Sequence, residues 1–465
     1  MPRSLFSRRD VLRYSGSLLG ATTLASVGCG SQAAQQAPAP AGARRLLIKG
    51  GCVLSLDPAV GDFDAADLLI DGTRIAAVGP NLTADAEMID ASRAIVMPGF
   101  VDTHRHMWQG ALRNILPNGL LSDYTRDITG TARAVMRPED ARIGDLVSAL
   151  GALNAGVTTV LDWSHIGNTP GHAEACIDGL RASGIRAVYG YSGSADVLRR
   201  LRTQYFSSPD QLLTLAHATG ADPAAWAAAR SVGAPITLHA GGTLDNVAGV
   251  MGPDVTYIHG TTFTEEAWKR IAGSGGHVSI AAPIEMEMGH GIPPVQSAID
   301  HGIRPSLSVD VETQMPGDFF TQMRTVFTLQ RMQALARERG GEARPPRLLT
   351  VREVIEFATI AGARANHLDA KVGTLTPGKE ADVIVLRADA INTLPLNNAY
   401  GAVVLSMDTS NVDTVIVRGQ VRKRRGQLVD VDVAAISRQA DASREFILKA
   451  AGWPPTRLGT AQGVR

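Results

Sequence analysis

The sequence has 465 residues, more than one domain usually contains, so we expect two structural units and additional terminal segments. Its apolar fraction of 45% and charged fraction of 19% are ordinary for a globular protein with a sizeable core. The 45 basic and 45 acidic residues give a net charge of zero, which argues against nucleic acid or an anionic membrane as partner and favours a small-molecule substrate. The three cysteines, Cys29, Cys52 and Cys176, are too few for a disulfide framework, and there is no CxxC pair, so any metal site must use histidine and carboxylate ligands.

The N-terminus has the features of an export signal. Arg8 and Arg9 precede a weakly apolar run, residues 15–28, which predicts a twin-arginine signal peptide over residues 1–29 and a periplasmic or other extracytoplasmic location. Cys29 follows a stretch similar to a lipoprotein cleavage site, so a lipid anchor at Cys29 is an alternative to ordinary cleavage. Residues 30–43 are rich in Ala, Gln and Pro and predict a flexible linker. No stretch is long and apolar enough for a transmembrane span.

Short strand-like segments occupy both ends of the remaining chain. The first group is Leu46–Ile48, Cys52–Leu56, Asp67–Ile70 and Arg74–Val78, with Asp71 and Gly72 as a hairpin turn. The second group is Ala381–Leu386 and Val412–Val421. We expect residues 44–97 and 371–430 to pair into one small β-sandwich domain, and residues 431–465 to form a helical tail.

Strand-like and helical segments alternate between these ends, which is typical of parallel βα units. Eight strand-like segments are found here: the one that leads to His104, then 157–162, 185–190, 212–217, 235–239, 255–259, 277–280 and 305–310. Eight parallel strands over residues 98–370 predict an α/β fold, a closed (β/α)8 barrel of the TIM type, in which functional groups lie at the C-terminal ends of the strands.

Histidine and aspartate end several of these strands. His104 and His106 are two positions apart on an extended segment, so their imidazoles point to the same side. His239, His259 and Asp310 end three further strands. One histidine in a strand is more often a packed, hydrogen-bonded residue than a ligand, but five such groups at homologous strand ends predict a shared metal site.

The same segments resemble the amidohydrolase superfamily, in particular its cytosine deaminase and chlorohydrolase-like branch. The resemblance covers about residues 45–426, and Met97–His106 together with Val372–Val385 carry it most specifically. It implies the barrel with a small β-domain, and it implies that His104, His106, His239 and Asp310 bind one divalent metal ion. Homo-oligomers are common among the proteins it resembles.

A single metal ion is expected, because a binuclear site in this superfamily usually needs a bridging lysine and no lysine ends a middle strand. Zinc suits three imidazoles and one carboxylate, with iron or manganese as alternatives. The implied chemistry is attack by a metal-activated water on an electron-poor carbon, with Asp310 taking the proton and His259 stabilising the developing charge.

One expected acid is missing. The nucleobase deaminases of this branch place a glutamate three residues after the strand histidine, and Gly242 stands there in this sequence. Glu285, which follows the seventh strand, is the predicted replacement, and the nearby Glu287 is a candidate for substrate contact. A solvent-exposed loop position is the alternative for each.

Other candidates for substrate contact follow the strands at the barrel mouth; they are Trp108, Gln109, Asp162, His165 and His217. The leading hypothesis is hydrolysis of a C–N bond, by deamination or ring opening, in a heterocyclic or cyclic amide-like small molecule. Displacement of halide or a substituted amine from a heteroaromatic ring is the runner-up, because halide leaves without being protonated. An exported binding protein of the same fold that lacks catalysis is the third.

Overall fold

The computed structural model describes residues 45–167, 169–455 and 457. The predicted signal peptide, the linker and the lipid anchor at Cys29 lie outside these residues. Across the described ranges, no helix is both long and apolar enough to cross a membrane.

Eight parallel strands form the larger part of the structure. They are β6 (Phe100–Arg105), β7 (Val157–Ser164), β8 (Arg186–Tyr191), β9 (Leu213–Ala218), β10 (Ile236–Gly242), β11 (Val255–Phe263), β12 (His277–Ile280) and β13 (Ser306–Leu307). Each is hydrogen-bonded to the next in chain order. All eight correspond to predicted segments, although the eighth is much shorter than residues 305–310 suggested.

The segment after β13 brings the last strand back to the first. Arg105 and Asp310 form an isolated parallel bridge, in which the His106 N–H donates to the Asp310 carbonyl at 2.8 Å. The Asp310 N–H in turn donates to the His104 carbonyl at 2.9 Å. These bonds nearly close the barrel. They place metal-ligand candidates from its first and its last strand side by side.

The remaining strands build one mixed sheet from both ends of the chain. They are β1 (Arg45–Val53), β2 (Phe63–Asp71), β3 (Arg74–Gly79), β4 (Glu87–Asp90), β5 (Ala94–Pro98), β14 (Val383–Arg387), β15 (Val412–Val417), β16 (Gln420–Arg424) and β17 (Gln427–Leu428). Antiparallel pairing of β5 with β14 joins the two groups. The fold class expected from the sequence is therefore confirmed, with hydrogen bonds that connect the strands of the small β-domain into a single sheet.

Local sequence explains the turns and one merged strand. Gly72 has a φ of 60° in the two-residue turn between β2 and β3, a conformation that glycine adopts without steric cost. Leu46–Ile48 and the first two residues of Cys52–Leu56, predicted in two separate strands, both belong to β1, because an irregularity at residues 48–51 interrupts the pairing of this strand without ending it.

Helices cover the barrel between its strands. The α-helices of six or more residues are Pro138–Asn154, Pro170–Ser183, Ala195–Tyr205, Pro223–Ser231, Glu265–Ser274, Ala282–Glu287, Val295–Asp300, Phe319–Arg339, Val351–Glu356 and Val433–Ala450. A π-helix, Tyr124–Ala132, and a short 3-10 helix, Met107–Leu112, follow the first barrel strand. The last α-helix packs on Pro138–Asn154, where the Ser443 hydroxyl donates to Asp140 at 2.8 Å.

Candidate metal centre and active site

Four side chains meet at the C-terminal end of the barrel. His104 lies in β6 and His106 directly follows that strand, while His239 lies in β10 and Asp310 follows β13. His104 Nε2 is 2.9 Å from Asp310 Oδ1 and 3.2 Å from His239 Nε2. One ligand atom from each of the four residues lies within 4.8 Å of the others. The arrangement brings three nitrogens and one oxygen around a common point.

The protonation of these groups suits a cation. Burial lowers the pKa values of His104 and His239, and burial with the adjacent His104 lowers the pKa of His106 to about 3, so the imidazoles are neutral near pH 7. Burial alone would raise the pKa of Asp310, but hydrogen bonding and charge interaction with His104 hold it well below its ordinary value.

A hydrogen bond behind the site fixes one ligand. His106 Nδ1 lies 2.7 Å from the Trp163 carbonyl oxygen, which only accepts, so His106 must carry its proton on Nδ1. The lone pair of Nε2 then remains for a metal ion. Three neutral imidazoles and one carboxylate form a ligand set that zinc favours, and these residues fit one divalent ion.

His259 lies beside this centre in a strained backbone conformation. Its φ is 66°, and that of Asp310 is 67°, values that non-glycine residues rarely adopt outside constrained sites. His259 Nε2 is 3.7 Å from Asp310 Oδ2, and its Nδ1 is 3.0 Å from Glu285 Oε1. Two carboxylates on opposite sides of the imidazole therefore orient it.

A cavity of about 490 Å³ is lined by three of the four ligands, His106, His239 and Asp310. His106, His239, His259 and Asp310 form its inner end. The rest of its lining comes from the segment after β6, from the C-terminal parts of β10 and β11, and from the segments after β7 and β12; these residues are Leu121, Tyr124, Thr125, Thr129, His165, Ala240, Gly241, Thr261, Thr262, Met288 and His290. The volume is suited to a small-molecule substrate.

Comparison with known proteins agrees with this geometry. The model of the Amidohydrolase family matches residues 95–422, which include the whole barrel and part of the mixed sheet. The chain belongs to the amidohydrolase family. Its four-residue metal site and this membership make it a metal-dependent hydrolase that acts on C–N bonds.

Curated relatives of this amidohydrolase match along nearly their full length. A 5'-deoxyadenosine deaminase of Methanosarcina barkeri is 26% identical over 87% of this chain and 98% of its own length. A 5-methylthioadenosine/S-adenosylhomocysteine deaminase of Pyrococcus horikoshii is 24% identical over 83% of this chain and 96% of its own.

Solved structures share the fold. A zinc-bound adenosine deaminase from Xanthomonas campestris has a TM-score of 0.77 and 22% identity, and it covers 88% of this chain and 100% of its own. The zinc complex of atrazine chlorohydrolase TrzN from Arthrobacter aurescens TC1 has a TM-score of 0.75 and 21% identity, covering 86% and 100%.

Glu285 is placed differently from a direct proton donor in this amidohydrolase. Its side chain is completely buried behind His259 and is not part of the cavity lining. Its Oε1 accepts the Ala281 N–H at 2.8 Å in addition to the contact with His259. The Glu285 carboxylate contacts His259, and His259 contacts the cavity, so the role predicted for Glu285 in protonating the leaving group stays a prediction and would act through His259.

Glu287 also lies outside the lining. It is half-buried near the end of the helix Ala282–Glu287, where burial raises the pKa of its carboxyl. Its side chain is not among the residues that line the cavity, and the substrate contact of Glu287 stays a prediction. Met288, one residue further, takes its place in the cavity wall.

Trp108 and Gln109, the predicted residues after β6, lie behind residues that line the cavity. Trp108 is buried and its indole N–H donates to His165 Nδ1 at 3.0 Å, and His165 lines the cavity. Gln109 is also buried, and its amide nitrogen donates to the Tyr124 hydroxyl at 2.5 Å. Of these predicted residues only His165 reaches the cavity; Trp108 and Gln109 hold residues that do.

Asp162 and His217 lie away from the lining. Asp162 is completely buried in β7, and its Oδ1 accepts the Met107 N–H at 3.2 Å. His217 is buried in β9, with its ring nitrogens 3.3 Å from the carbonyls of Ala225 and Gly193. Neither side chain lines the cavity, and their substrate contacts stay predictions.

Several wall residues are not identifiable from the strand-end pattern of histidine and carboxylate. Thr261 and Thr262 come two and three residues after His259 in the C-terminal part of β11, so their position near a strand end could have indicated them. His290, to which the sequence assigns no role, lines the cavity with its ring centroid 4.7 Å from that of His259. Leu121, Tyr124 and Thr129 carry no local sequence signal for the site, because tertiary packing brings them to the cavity.

Proposed function

We propose that this amidohydrolase removes an amino substituent from a ring carbon of a nitrogen heterocycle by hydrolysis and releases ammonia. Adenine nucleosides are the first substrate class to consider, because both groups of curated relatives are named as deaminases of such compounds. The observation that carries the proposal is the joint placement of the metal ligands and His259 at the inner end of one cavity.

Two side chains have direct roles in the proposed reaction. His104, His106, His239 and Asp310 would hold a zinc ion, which would act as a Lewis acid and make water a nucleophile near neutral pH. Asp310 accepts the proton of the attacking water through Oδ2, the oxygen that lies near His259 Nε2. His259 donates a hydrogen bond to the oxygen that gains negative charge at the ring carbon. Glu285 keeps the His259 ring in the required orientation.

The leaving group supports a second candidate. Among the described residues of the cavity wall, Asp310 is the only carboxylate. Gly242, where the related deaminases place a glutamate, has a φ of 70°, and no heavy atom lies within 4 Å of the position that a Cβ would occupy there. The space directly around this position is therefore open. This favours displacement of a group that leaves without a proton, such as halide, as the alternative reaction.

Matched ring compounds separate the two reactions. The zinc-loaded protein is assayed with adenosine and with 6-chloropurine riboside, for ammonia and chloride release respectively. A higher kcat/KM for adenosine supports deamination, whereas a preference for the chloro compound of about a hundredfold or more supports displacement. Failure to release either product from these compounds, or from amino and chloro derivatives of triazines and pterins, contradicts both.

Removal of one ligand tests whether the centre is in use. His239→Ala should lose bound zinc and all hydrolysis, because three remaining ligands cannot reproduce the site. His301→Ala, which alters a histidine stacked on Trp268 outside the cavity, is the control and should keep both. Equal zinc content and equal activity in the two variants would contradict the proposed centre. If the unmodified protein binds zinc without activity and His239→Ala loses that zinc, the result would support a binding protein.

A further inference from the structure

We infer that the substrate of this cavity is uncharged beyond its reacting ring, so that compounds with a phosphate, carboxylate or ammonium tail are disfavoured. The inference rests on the proposed function for the reacting ring, and it adds the class of substituent. It follows from the outer wall of the cavity, which we define as Leu121, Tyr124, Thr125, Thr129, Thr261, Thr262 and Met288.

The outer wall offers no counter-ion. None of the described residues that line the cavity is a lysine or arginine, and the one carboxylate, Asp310, is held among the metal ligands. A charged tail would lose its hydration on contact with this wall without gaining an ion pair. The loss of hydration of an unpaired charge is costly and is not offset by contact with uncharged groups.

Most of the hydroxyl groups on one side of the wall already have partners. The Thr125 hydroxyl donates to the Leu121 carbonyl at 2.8 Å, and the Thr129 hydroxyl donates to the Thr125 carbonyl at 2.9 Å. The Tyr124 hydroxyl oxygen accepts the amide N–H of Gln109. These bonds reduce the capacity of the wall to solvate an ion, and they leave the methyl groups of both threonines for contact with an uncharged group.

The cations nearest in sequence to this wall are engaged elsewhere. Arg126 lies 3.0 Å from Asp123 and 2.7 Å from Asp127. Arg133 donates to the backbone carbonyl of His165 at 3.3 Å. Recruitment of either guanidinium by an anionic tail would break contacts already made, so neither provides a ready anion site.

The inference separates substrates that the names of the relatives group together. 5'-Deoxyadenosine and 5-methylthioadenosine are uncharged at the 5' end, whereas S-adenosylhomocysteine carries an amino acid with both charges. We place the substrate of this chain with the first two compounds.

Equilibrium binding to the zinc-loaded full-length protein tests the inference without depending on turnover. The first pair is 5-methylthioadenosine and S-adenosylhomocysteine, and the second is 5'-deoxyadenosine and adenosine 5'-monophosphate. A third pair, an alkylamino-s-triazine and its carboxyalkyl counterpart, changes the ring. We expect the uncharged member to bind at least about tenfold more tightly, because an unpaired charge costs more than a tenfold change in Kd represents.

A change of wall charge provides the matched control. Thr129→Arg introduces a cation at the half-buried wall position, and Thr129→Gln introduces a long uncharged side chain. The affinity for adenosine 5'-monophosphate divided by the affinity for 5'-deoxyadenosine should be about tenfold higher in the arginine variant than in the glutamine variant. The same ratio in both variants would show that Thr129 does not face the ligand tail and would contradict the inference.

The outcomes distinguish this inference from the proposed function. Tighter binding of the uncharged members without ammonia release supports the inference and counts against the proposed deamination. Ammonia release with equal or better use of the charged members supports deamination and overturns the inference. If no member of any pair binds, the inference is wrong, because a cavity selective for uncharged heterocycles must hold at least one.

Discussion

At the scale of single residues, the contact between Glu285 and His259 is the best place to test the catalytic geometry. Glu285→Gln keeps the shape of the side chain but removes its charge from a completely buried position next to the His259 ring. We expect kcat to fall about 10- to 100-fold with little change in KM or zinc content, because partners behind a reactive imidazole have effects of this size. Steady-state kinetics and metal analysis provide the measurement.

Glu287→Gln is the control for that change. It removes the same charge from the same short helix, but from a side chain outside the cavity lining. Its kcat should stay within about twofold of the unmodified protein, a difference that corresponds to only a few tenths of a kcal/mol. If the two variants lose equal activity, the contact with His259 is not the reason.

Asp162 gives a pH-dependent prediction at the same scale. Complete burial raises its pKa to about 7, although hydrogen bonds with the Met107 N–H and with the equally buried Asp145 act in the opposite direction. The folded state therefore holds a proton that the unfolded state releases near pH 4, and this contribution to stability is lost as the pH rises through about 7. Asp162→Asn should remove this loss of stability at higher pH.

The measurement is the free energy of unfolding from pH 5 to pH 8. Relative to the unmodified protein, Asp162→Asn should gain about 1 kcal/mol or more between these values. Asp178→Asn removes an exposed carboxylate from the helix that carries Cys176 and serves as control. A parallel pH profile for the Asp162 variant and the unmodified protein would contradict the prediction.

At the scale of elements, the barrel strands could be predicted because each is an apolar segment, and several have a histidine or aspartate at the end. His104, His239 and His259 could be placed near one another by this rule, since the C-terminal ends of parallel strands share one edge. The role of Glu285 could not, because its partner is set by how the helix Ala282–Glu287 turns after β12. The order of the strands predicts that Glu285 lies near the C-terminal ends of the barrel strands. Its contact with His259 depends on the packing of the folded chain.

The π-helix Tyr124–Ala132 shows a different limit of sequence-based prediction. It supplies Tyr124 and Thr129 to the cavity, yet its residues have no strand-end position and no metal-ligand chemistry. Extra residues of this kind in a helix are frequent at functional sites, but they are recognised from hydrogen bonding and not from composition. Predictions of substrate contact made from strand ends alone therefore selected Asp162 and His217 and omitted this wall.

The helix Val433–Ala450 allows a test of stability without a change at the site. The Arg137 guanidinium lies 3.6 Å from the centroid of the Phe446 ring, and the neighbouring Ile447 and Leu448 are buried. Phe446→Ala should lower the free energy of unfolding by about 1–3 kcal/mol through lost packing and cation–π contact. Its kcat/KM should be unchanged, because the helix is outside the cavity lining.

Glu445→Ala, at the exposed adjacent position, is the comparison for Phe446. Surface changes of this kind usually alter stability by no more than about 0.5 kcal/mol. Chemical denaturation of both variants gives the difference. A loss of zinc or of kcat/KM in Phe446→Ala would indicate that the helix supports the site and not stability alone.

At the scale of the whole molecule, the mixed sheet and the barrel are joined by a buried ion cluster. Arg186 of β8 donates to Asp382 through Nε at 2.8 Å and to Glu380 through Nη2 at 2.7 Å. All three side chains are at most 3% exposed. The two carboxylates precede β14, the strand that pairs with β5, so this cluster connects the sheet to the opposite end of the barrel from the metal ligands.

Arg186→Met tests whether the cluster makes the two parts unfold together. The change leaves Glu380 and Asp382 buried without their closest cation, which should cost about 3–5 kcal/mol. Arg200→Met breaks the half-exposed pair with Glu174 and should cost no more than about 1 kcal/mol. In thermal unfolding we expect a single transition at a lower temperature for Arg186→Met, because every strand of the sheet still pairs. Two separate transitions would instead mean that this ion cluster, and not the apolar contact between sheet and barrel, supplies their cooperativity.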